Sequence, residues 1–245
     1  MEQEKQIEKD FFDRIALEDQ EYQRFAEGSY AKIFSLFKSL VDPKPGDSIL
    51  DMGCGTGAFT QRLKQEFPSA NVLGMDISEQ CINRARKSYA DILFSAGDVE
   101  KTNLDSHSID IICYFGALHH FPDFNNVARE AGRILRPGGK VFSLDPHHHN
   151  PVFWLFRAHE SPLYCSKGVT SQERLLTTRE FKEVFAANGF TVRTKVISGI
   201  KFATVEAGFM KLFMPVYNVL DQILGLSPLA PLIGAWVVGF AQKPV

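Results

Sequence analysis

The sequence predicts an α/β fold with a doubly wound, mostly parallel sheet. The first observation behind this is that short apolar runs alternate with helical patterns between residues 45 and 145. The second is the segment from Ile49 to Thr60, where an apolar run leads into three glycines and then a helical pattern. Strand, glycine turn and helix is how open α/β sheets bring bare backbone against a ligand.

The glycine segment reads Ile-Leu-Asp-Met-Gly-Cys-Gly-Thr-Gly, so Asp51 precedes Gly53, Gly55 and Gly57. Glycine allows positive φ and lacks the Cβ that would block a ligand. Dinucleotide sites use a different spacing, G-x-G-x-x-G. A carboxylate at position 51 would also repel a pyrophosphate. We therefore expect a ligand that carries an ammonium group.

This segment resembles motif I of the class I S-adenosylmethionine (SAM)-dependent methyltransferases, in the type-11, ubiquinone-methyltransferase-like group. Further features of that family follow in the right order, at residues 74–78 (Gly-Met-Asp-Ile-Ser), 97–99 (Gly-Asp-Val), 118–120 (Leu-His-His) and 135–139 (Leu-Arg-Pro-Gly-Gly). The resemblance covers about residues 45–145 and, more loosely, 177–196. It implies a Rossmann-like fold with a seven-stranded sheet whose last strand runs antiparallel, SAM as cofactor and S-adenosylhomocysteine as product.

By this resemblance, Asp76 binds the ribose of SAM, Ile77 packs on adenine, and Asp98 and Val99 meet the adenine amino group and ring. Asp76 also lies about 20 residues beyond the glycine loop, where an acid at the end of the second strand meets a ribose. The alternative for Asp76 is a helix N-cap, although Ser78 can serve as that cap. The predicted cofactor-binding residues are Asp51, Gly53, Cys54, Gly55, Gly57, Asp76, Ile77, Asp98, Val99 and Phe115.

The histidines are the candidates for catalysis. The sulfonium of SAM activates its own methyl group, so catalysis should depend mainly on holding the acceptor in line in a dry pocket. A hydroxyl acceptor would in addition need a base, and histidine has a suitable pKa. The candidates are His119 and His120 after the fourth strand, and His147 and His148 after the fifth. The family carries a pair like the first without every member using it as a base.

The run of three histidines at 147–149 also invites a metal interpretation. Consecutive side chains on an extended segment point alternately, and neither cysteine nor carboxylate lies at a ligand spacing. We therefore expect no metal, and either a lining of the pocket or a solvated loop.

We expect one domain over residues 1–245, with the SAM-binding core at 45–145 and three segments that supply the substrate side. Residues 1–40 should form two helices that pack on the sheet or serve as a lid, with Tyr22 and Tyr30 near the pocket. Residues 146–177 form a first insertion. Residues 199–234, between the last two strands, should fold into helices over the pocket. Phe209, Phe213 and Tyr217 are its candidate substrate contacts.

The apolar part of this second insertion, 209–226, has three interpretations that the sequence leaves open: a substrate chamber, a dimer face or a shallow membrane contact. Residues 222–242 carry no charge and are long enough to span a membrane. However, Pro228 and Pro231 interrupt them, and their end is needed as the seventh strand.

Bulk properties limit the partners. The formal net charge is -2 and no basic run occurs, so nucleic acid is not expected. The four cysteines form no C-x-x-C pair, and the first residues contain no apolar signal segment. A cytoplasmic location is therefore expected, with a small-molecule substrate. A homodimer and a peripheral membrane or lipid-like contact stay open.

The leading function is transfer of a methyl group from SAM to an O, N or C atom of a small, apolar or amphipathic acceptor. The alternatives are a protein or nucleic-acid methyltransferase and a catalytically silent SAM-binding protein. Weak basicity and the lack of an Asn/Asp-Pro-Pro-Tyr/Phe motif after the fourth strand count against nucleic-acid methylation. A nicotinamide oxidoreductase is a distant fourth.

Overall fold

The alternating apolar runs form a mixed sheet with helices on both faces in the computed structural model, which describes residues 2–18, 23–166, 169–205 and 212–245. The strands are β1 (Gln23–Phe25), β2 (Ser48–Met52), β3 (Asn71–Asp76), β4 (Leu93–Ala96), β5 (Ile109–Phe115), β6 (Leu135–Pro146), β7 (Thr191–Ile197), β8 (Phe202–Val205) and β9 (Trp236–Gln242). The helices are α1 (Glu2–Leu17), α2 (Glu27–Val41), α3 (Ala58–Glu66), α4 (Glu79–Ser88), α5 (Asn125–Ile134), α6 (Pro151–Arg157), α7 (Thr178–Ala187), α8 (Met214–Leu226) and α9 (Ala230–Ile233).

The large sheet has seven strands in the order β4-β3-β2-β5-β6-β9-β7. Strands β2 to β6 are parallel, and β9 runs antiparallel between β6 and β7. This confirms the predicted fold class, including the seventh strand as an interior member. The strand order reverses between β2 and β5, and ligands of such sheets bind outside the carboxyl ends at that point.

Residues of one strand alternate between two cores. Ile49 packs with α2 on one face of the sheet, whereas its neighbour Leu50 packs with α5 on the other. Such alternation is required when both faces are covered, because successive side chains of a strand point to opposite faces. Each large apolar side chain buried in this way contributes about 1.5–3 kcal/mol.

Two features differ from the sequence predictions. The predicted turn at Arg136–Gly139 lies within β6, as an irregularity in its pairing with β5: Leu135 pairs with Ile109, and Lys140 with Ile111. The second is the short antiparallel pair of β1 and β8, which no pattern predicted. It joins the segment after α1 to the insertion before β9.

The insertion before β9 contains the predicted helix, α8. Tyr217 and Asp221 lie on its buried side, whereas its other side is apolar and exposed, with Phe213 53%, Ile223 61% and Leu226 92% accessible. Among the described residues, no helix combines the length and the apolar character that crossing a membrane requires.

Candidate functional site

A cavity of about 790 Å³ opens at the carboxyl ends of the parallel strands. Its lining includes the glycine loop after β2, the ends of β3 and β4, and the turn after β5. Side chains of α1, α2 and α8 close it from the other side. The cavity thus lies where the strand order predicts a ligand site.

The glycine loop follows β2 with positive φ at Gly53 (76°), Gly55 (52°) and Gly57 (82°). A Cβ on Gly53 would lie 2.8 Å from the Cβ of Ala117, and one on Gly57 would lie 2.8 Å from the ring of Phe94. Nothing lies within 4 Å of a Cβ built on Gly55, which lines the cavity. Packing therefore requires the outer two glycines, whereas the middle one presents backbone to open space.

Asp76 holds this loop from the end of β3. One carboxylate oxygen accepts a hydrogen bond from the Gly55 N–H at 2.8 Å, and the other accepts one from the Ser78 N–H at 2.9 Å. Ser78 caps α4 by accepting the Cys81 N–H at 3.0 Å. The cap thus falls to Ser78, as predicted. Asp76 lines the cavity, and burial raises its pKa.

Asp51 is only 1% exposed and lies beneath the loop, outside the residues that line the cavity. One of its oxygens accepts a hydrogen bond from the Thr60 hydroxyl at 2.7 Å, and the other has no hydrogen-bond partner. Burial, assisted by the charge of Asp76, raises the pKa of Asp51 to about 7. Asp51 therefore supports the helix after the loop in this structure.

The remaining predicted cofactor residues come together around the cavity. Cys54, Ile77, Asp98, Val99 and Phe115 all line it. Asp98 forms an ion pair with Lys5 of α1 at 2.5 Å and accepts the Glu100 N–H with its other oxygen. The first helix therefore reaches the end of β4.

The histidines after β5 lie on a single short turn and line the cavity. The Nδ1 atom of His119 lies 3.0 Å from a carboxylate oxygen of Asp145, and Nδ1 of His120 lies 3.1 Å from one of Glu8. Burial, with the charge of His120, lowers the pKa of His119 to about 3. Burial raises the pKa of Asp145 to about 7.

His120 behaves in the opposite way. Burial alone would lower its pKa, but the hydrogen bond to Glu8 and the charges of Glu173, Glu8 and Asp145 raise it above the ordinary 6.5. The two adjacent histidines thus have different pKa values because different carboxylates face them: His119 is a neutral imidazole, and His120 is the stronger base.

His119, His120 and Glu173 come close together: one ring nitrogen or carboxylate oxygen from each lies within 4.8 Å of the others. Both Nδ1 atoms are already hydrogen bonded to carboxylates. This grouping can store and move a proton. The expected absence of a metal stays a prediction.

The structure separates the second histidine pair from the first. His147 is buried, with Nδ1 2.9 Å from the Gly234 carbonyl, and burial lowers its pKa. His148 lies 3.6 Å from Glu160, beside a small second cavity near Trp154. Neither lines the main cavity, so the catalytic role predicted for this pair has no geometric support.

The structure places two of the predicted substrate residues in the lining of the cavity. Tyr30 and Tyr217 line the cavity, whereas Phe213 lies on the exposed side of α8 and does not. Tyr22 and Phe209 fall outside the described residues.

Sequence reasoning missed two groups. The first is acidic: Asp145, Glu8 and Glu173, of which only Asp145 gave a signal, as an acid at the end of a parallel strand. The second is an aromatic wall of Phe25, Phe153, Phe202, Tyr217 and Trp236, all of which line the cavity with ring centroids 5.3–6.4 Å apart. Phe25, Phe153, Phe202 and Trp236 carry no motif that distinguishes a wall residue from core.

The chain is similar to known methyltransferases. A family model described as "Methyltransferase domain" matches residues 49–139. The trans-aconitate 2-methyltransferase of Deinococcus radiodurans is 31% identical over 131 residues, 53% of this chain and 49% of that protein. The demethylmenaquinone methyltransferase of Lactobacillus johnsonii is 35% identical over 120 residues, 46% of this chain and 49% of that protein. The chain spans about half the length of these curated relatives.

The fold matches as well. The structure of Haemonchus contortus phosphoethanolamine N-methyltransferase 2 in complex with S-adenosyl-L-methionine superimposes with a TM-score of 0.63 at 18% identity. The match covers 88% of this chain and 53% of that one. Residues 49–139 therefore resemble a methyltransferase domain, and the fold of the chain is that of the matched methyltransferase structure, in agreement with the resemblance of the glycine loop.

Proposed function

We propose that this chain binds SAM in the main cavity and transfers its methyl group to an O, N or C atom of a small, apolar or amphipathic acceptor. The observation that carries the proposal is the glycine loop, whose middle glycine faces the cavity and is held by Asp76. When bound, SAM supplies an activated methyl group. The protein then needs to bind, orient and exclude water.

Each oxygen of Asp76 accepts one backbone N–H and keeps a further lone pair. A ribose hydroxyl pair is therefore a suitable partner for this carboxylate. We propose that Asp98 and Val99 at the end of β4 contact the adenine, so that the cofactor lies along the edge from β2 to β4. The acceptor then occupies the rest of the cavity.

That remainder has two contrasting sides. The aromatic wall offers flat apolar surface, with Phe153 stacked on Tyr217 at 5.7 Å and edge-on to Trp236 at 5.5 Å. The polar part of the lining includes His119, His120, Glu8 and Glu173. An acceptor with an apolar body and one polar group matches both sides.

For an acceptor that must lose a proton, His120 is the base that we propose. It lines the cavity, and its raised pKa makes it a stronger base than His119. Its Nδ1 atom lies against the Glu8 carboxylate, which favours a proton on Nδ1, so its Nε2 atom would take the proton from the acceptor. His119, neutral and fixed by Asp145, completes the polar side.

Calorimetry with SAM, S-adenosylhomocysteine and NAD tests the cofactor assignment. We expect micromolar binding of the first two and far weaker binding of NAD; tighter NAD binding would end the proposal. A panel of small aromatic and amphipathic metabolites, assayed for S-adenosylhomocysteine formation, then tests the acceptor. Turnover only with protein or nucleic acid would favour the alternative class.

Partners other than the acceptor stay predictions. The exposed apolar side of α8, from Phe213 to Leu226, would suit a second copy of the chain or a membrane surface next to the cavity. A cytoplasmic location and a lid role for α1 are likewise part of the proposal.

A further inference from the structure

Glu8 is a buried carboxylate at the point where α1 crosses the histidine turn. It is 9% exposed, and both of its oxygens have partners: one lies 3.1 Å from Nδ1 of His120, and the other accepts a hydrogen bond from the Thr170 hydroxyl. Burying a carboxylate is costly unless it is hydrogen bonded. These two bonds therefore stabilise the Glu8 carboxylate in this buried position.

Helix α1 is held over the cavity by further polar contacts on either side of Glu8. Lys5 pairs with Asp98 at the end of β4. Asp13 accepts hydrogen bonds from the Ser78 hydroxyl at 2.6 Å and from the Gln80 N–H at 3.2 Å, at the start of α4. The helix thus bridges the ends of three parallel strands, and Glu8 reaches His120 only while α1 lies in this place.

We infer that Glu8 is a positioning residue that makes His120 an effective base only when α1 covers the cofactor site. This inference rests on the proposed function, since it concerns the base of that reaction. A carboxylate on Nδ1 holds the proton there, leaves Nε2 as the basic atom and favours the protonated imidazole. The placement of α1 over the cofactor site and the activation of His120 as a base then occur together.

Other groups also face His120, so the effect of Glu8 has to be separated from theirs. They are Asp76 of β3, His119 of the turn after β5, Asp145 of β6 and Glu173 of the segment before α7. Phe12 of α1 packs edge-on against the imidazole at 5.2 Å. Unlike these four residues, Glu8 belongs to α1, the helix that covers the cavity.

Nuclear magnetic resonance of the full chain with ¹⁵N-labelled histidine tests the inference without a known acceptor. The Nδ1 and Nε2 shifts of His120 report both its tautomer and its pKa across a pH titration. For the wild type we expect the proton on Nδ1 and a pKa above 6.5. Glu8→Gln keeps the shape but removes the charge, and should lower the pKa of His120 by about one unit.

Two variants separate positioning from mere packing. Thr170→Val removes the other bond to Glu8 but keeps the Glu8 charge, so it should lower the pKa of His120 by less than Glu8→Gln does. Lys5→Met loosens α1 at Asp98 without touching the histidines; it should speed amide exchange in α1 and lower the pKa of His120 as well. A lowered His120 pKa in Lys5→Met would show that the placement of α1 and the base strength of His120 are coupled.

The outcomes are decisive. A His120 pKa that is the same in Glu8→Gln as in the wild type overturns the role of Glu8. Faster exchange of α1 in Lys5→Met with an unchanged His120 pKa overturns the coupling. Binding of S-adenosylhomocysteine, measured for each variant, keeps this test apart from the proposed function, because only its absence in the wild type would count against that function.

Discussion

The proposed cofactor side and the proposed acceptor side of the cavity are built in different ways. The proposed cofactor side comes mainly from one stretch, residues 48–99, whose polar groups stand at the ends of consecutive parallel strands. The acceptor side comes from α1, α2, α6, the segment before α7, and α8, which are far apart in the chain. The first side is therefore fixed by local backbone geometry, and the second by packing between distant segments.

Strand register explains the contrast. Asp51 pairs with Gly74 and Asp76 pairs with Ala96, so the acidic ends of β2 and β3 lie at the same edge once the strands align. On the acceptor side, Phe25 meets Phe202 only through the short pair of β1 and β8. Substitutions on the cofactor side should thus change the affinity for SAM strongly, and substitutions on the acceptor side should change it little.

The largest expected effect is that of Gly55→Val. Its φ of 52° is unfavourable for a β-branched residue, and the new side chain would occupy the space at the cavity edge. We expect a loss of SAM affinity of about 100-fold or more, with the fold retained by circular dichroism. Gly28→Ala, on α2 with open space around it, is the matched control and should bind SAM normally. A folded Gly55→Val that binds like the wild type would remove the loop as the cofactor site.

Asp51→Asn should change stability in a pH-dependent way. Because the folded pKa of Asp51 is raised from 3.8 to about 7, the folded state holds this proton more tightly than the unfolded chain. Its contribution is therefore fully present below about pH 4 and is lost as the pH rises through 7. At 1.36 kcal/mol per unit, the loss is at most about 4 kcal/mol.

Denaturant unfolding of the ligand-free protein between pH 4 and 8 measures this. Asp51→Asn should be more stable than the wild type at pH 8, with the difference shrinking toward pH 4. Asp105→Asn, at an exposed carboxylate, provides the control slope. Parallel curves for Asp51→Asn and the wild type would mean that the carboxyl group is not desolvated in the folded state.

Asp76→Ala should weaken SAM binding by about 1.5–3 kcal/mol, the usual cost of losing hydrogen bonds to a charged group. Ser78→Ala is the control for the cap: it removes the cap of α4 at a cost of about 1 kcal/mol in stability, also removes the bond to Asp13 of α1, and leaves the carboxylate of Asp76 in place. Calorimetry on both variants decides between the two roles. If Asp76→Ala binds SAM as tightly as the wild type, Asp76 supports the loop and the helix but does not touch the cofactor.

The smallest effect on SAM is expected at α8. Tyr217→Ala opens the aromatic wall and should raise the KM for the acceptor about tenfold, with SAM affinity nearly intact. Val216→Ser, on the exposed side of the same helix, should leave both constants unchanged. Should Val216→Ser convert a dimer to a monomer by sedimentation, with kinetics unaffected, the outer side is an interface.

The sequence foresaw most of the core because its signals are local. The motifs at residues 74–78, 97–99 and 118–120 lie at or directly after the ends of β3, β4 and β5, in the order that the sequence predicts. The histidine candidates show the limit of this reasoning. His120 and His148 look alike in sequence, yet the first lines the main cavity and the second does not, because the paths of the chain after β5 and β6 differ.

By itself, the sequence determined the order of strands and helices in the large sheet, the glycine loop and the acids at the strand ends, since periodicity and backbone preference act over a few residues. Only the tertiary structure decided that Glu8 meets His120, 112 residues away, and that Phe25, Phe153 and Trp236 form one wall. Such contacts depend on how whole segments pack, and packing selects them through the summed burial of many side chains rather than through any local pattern.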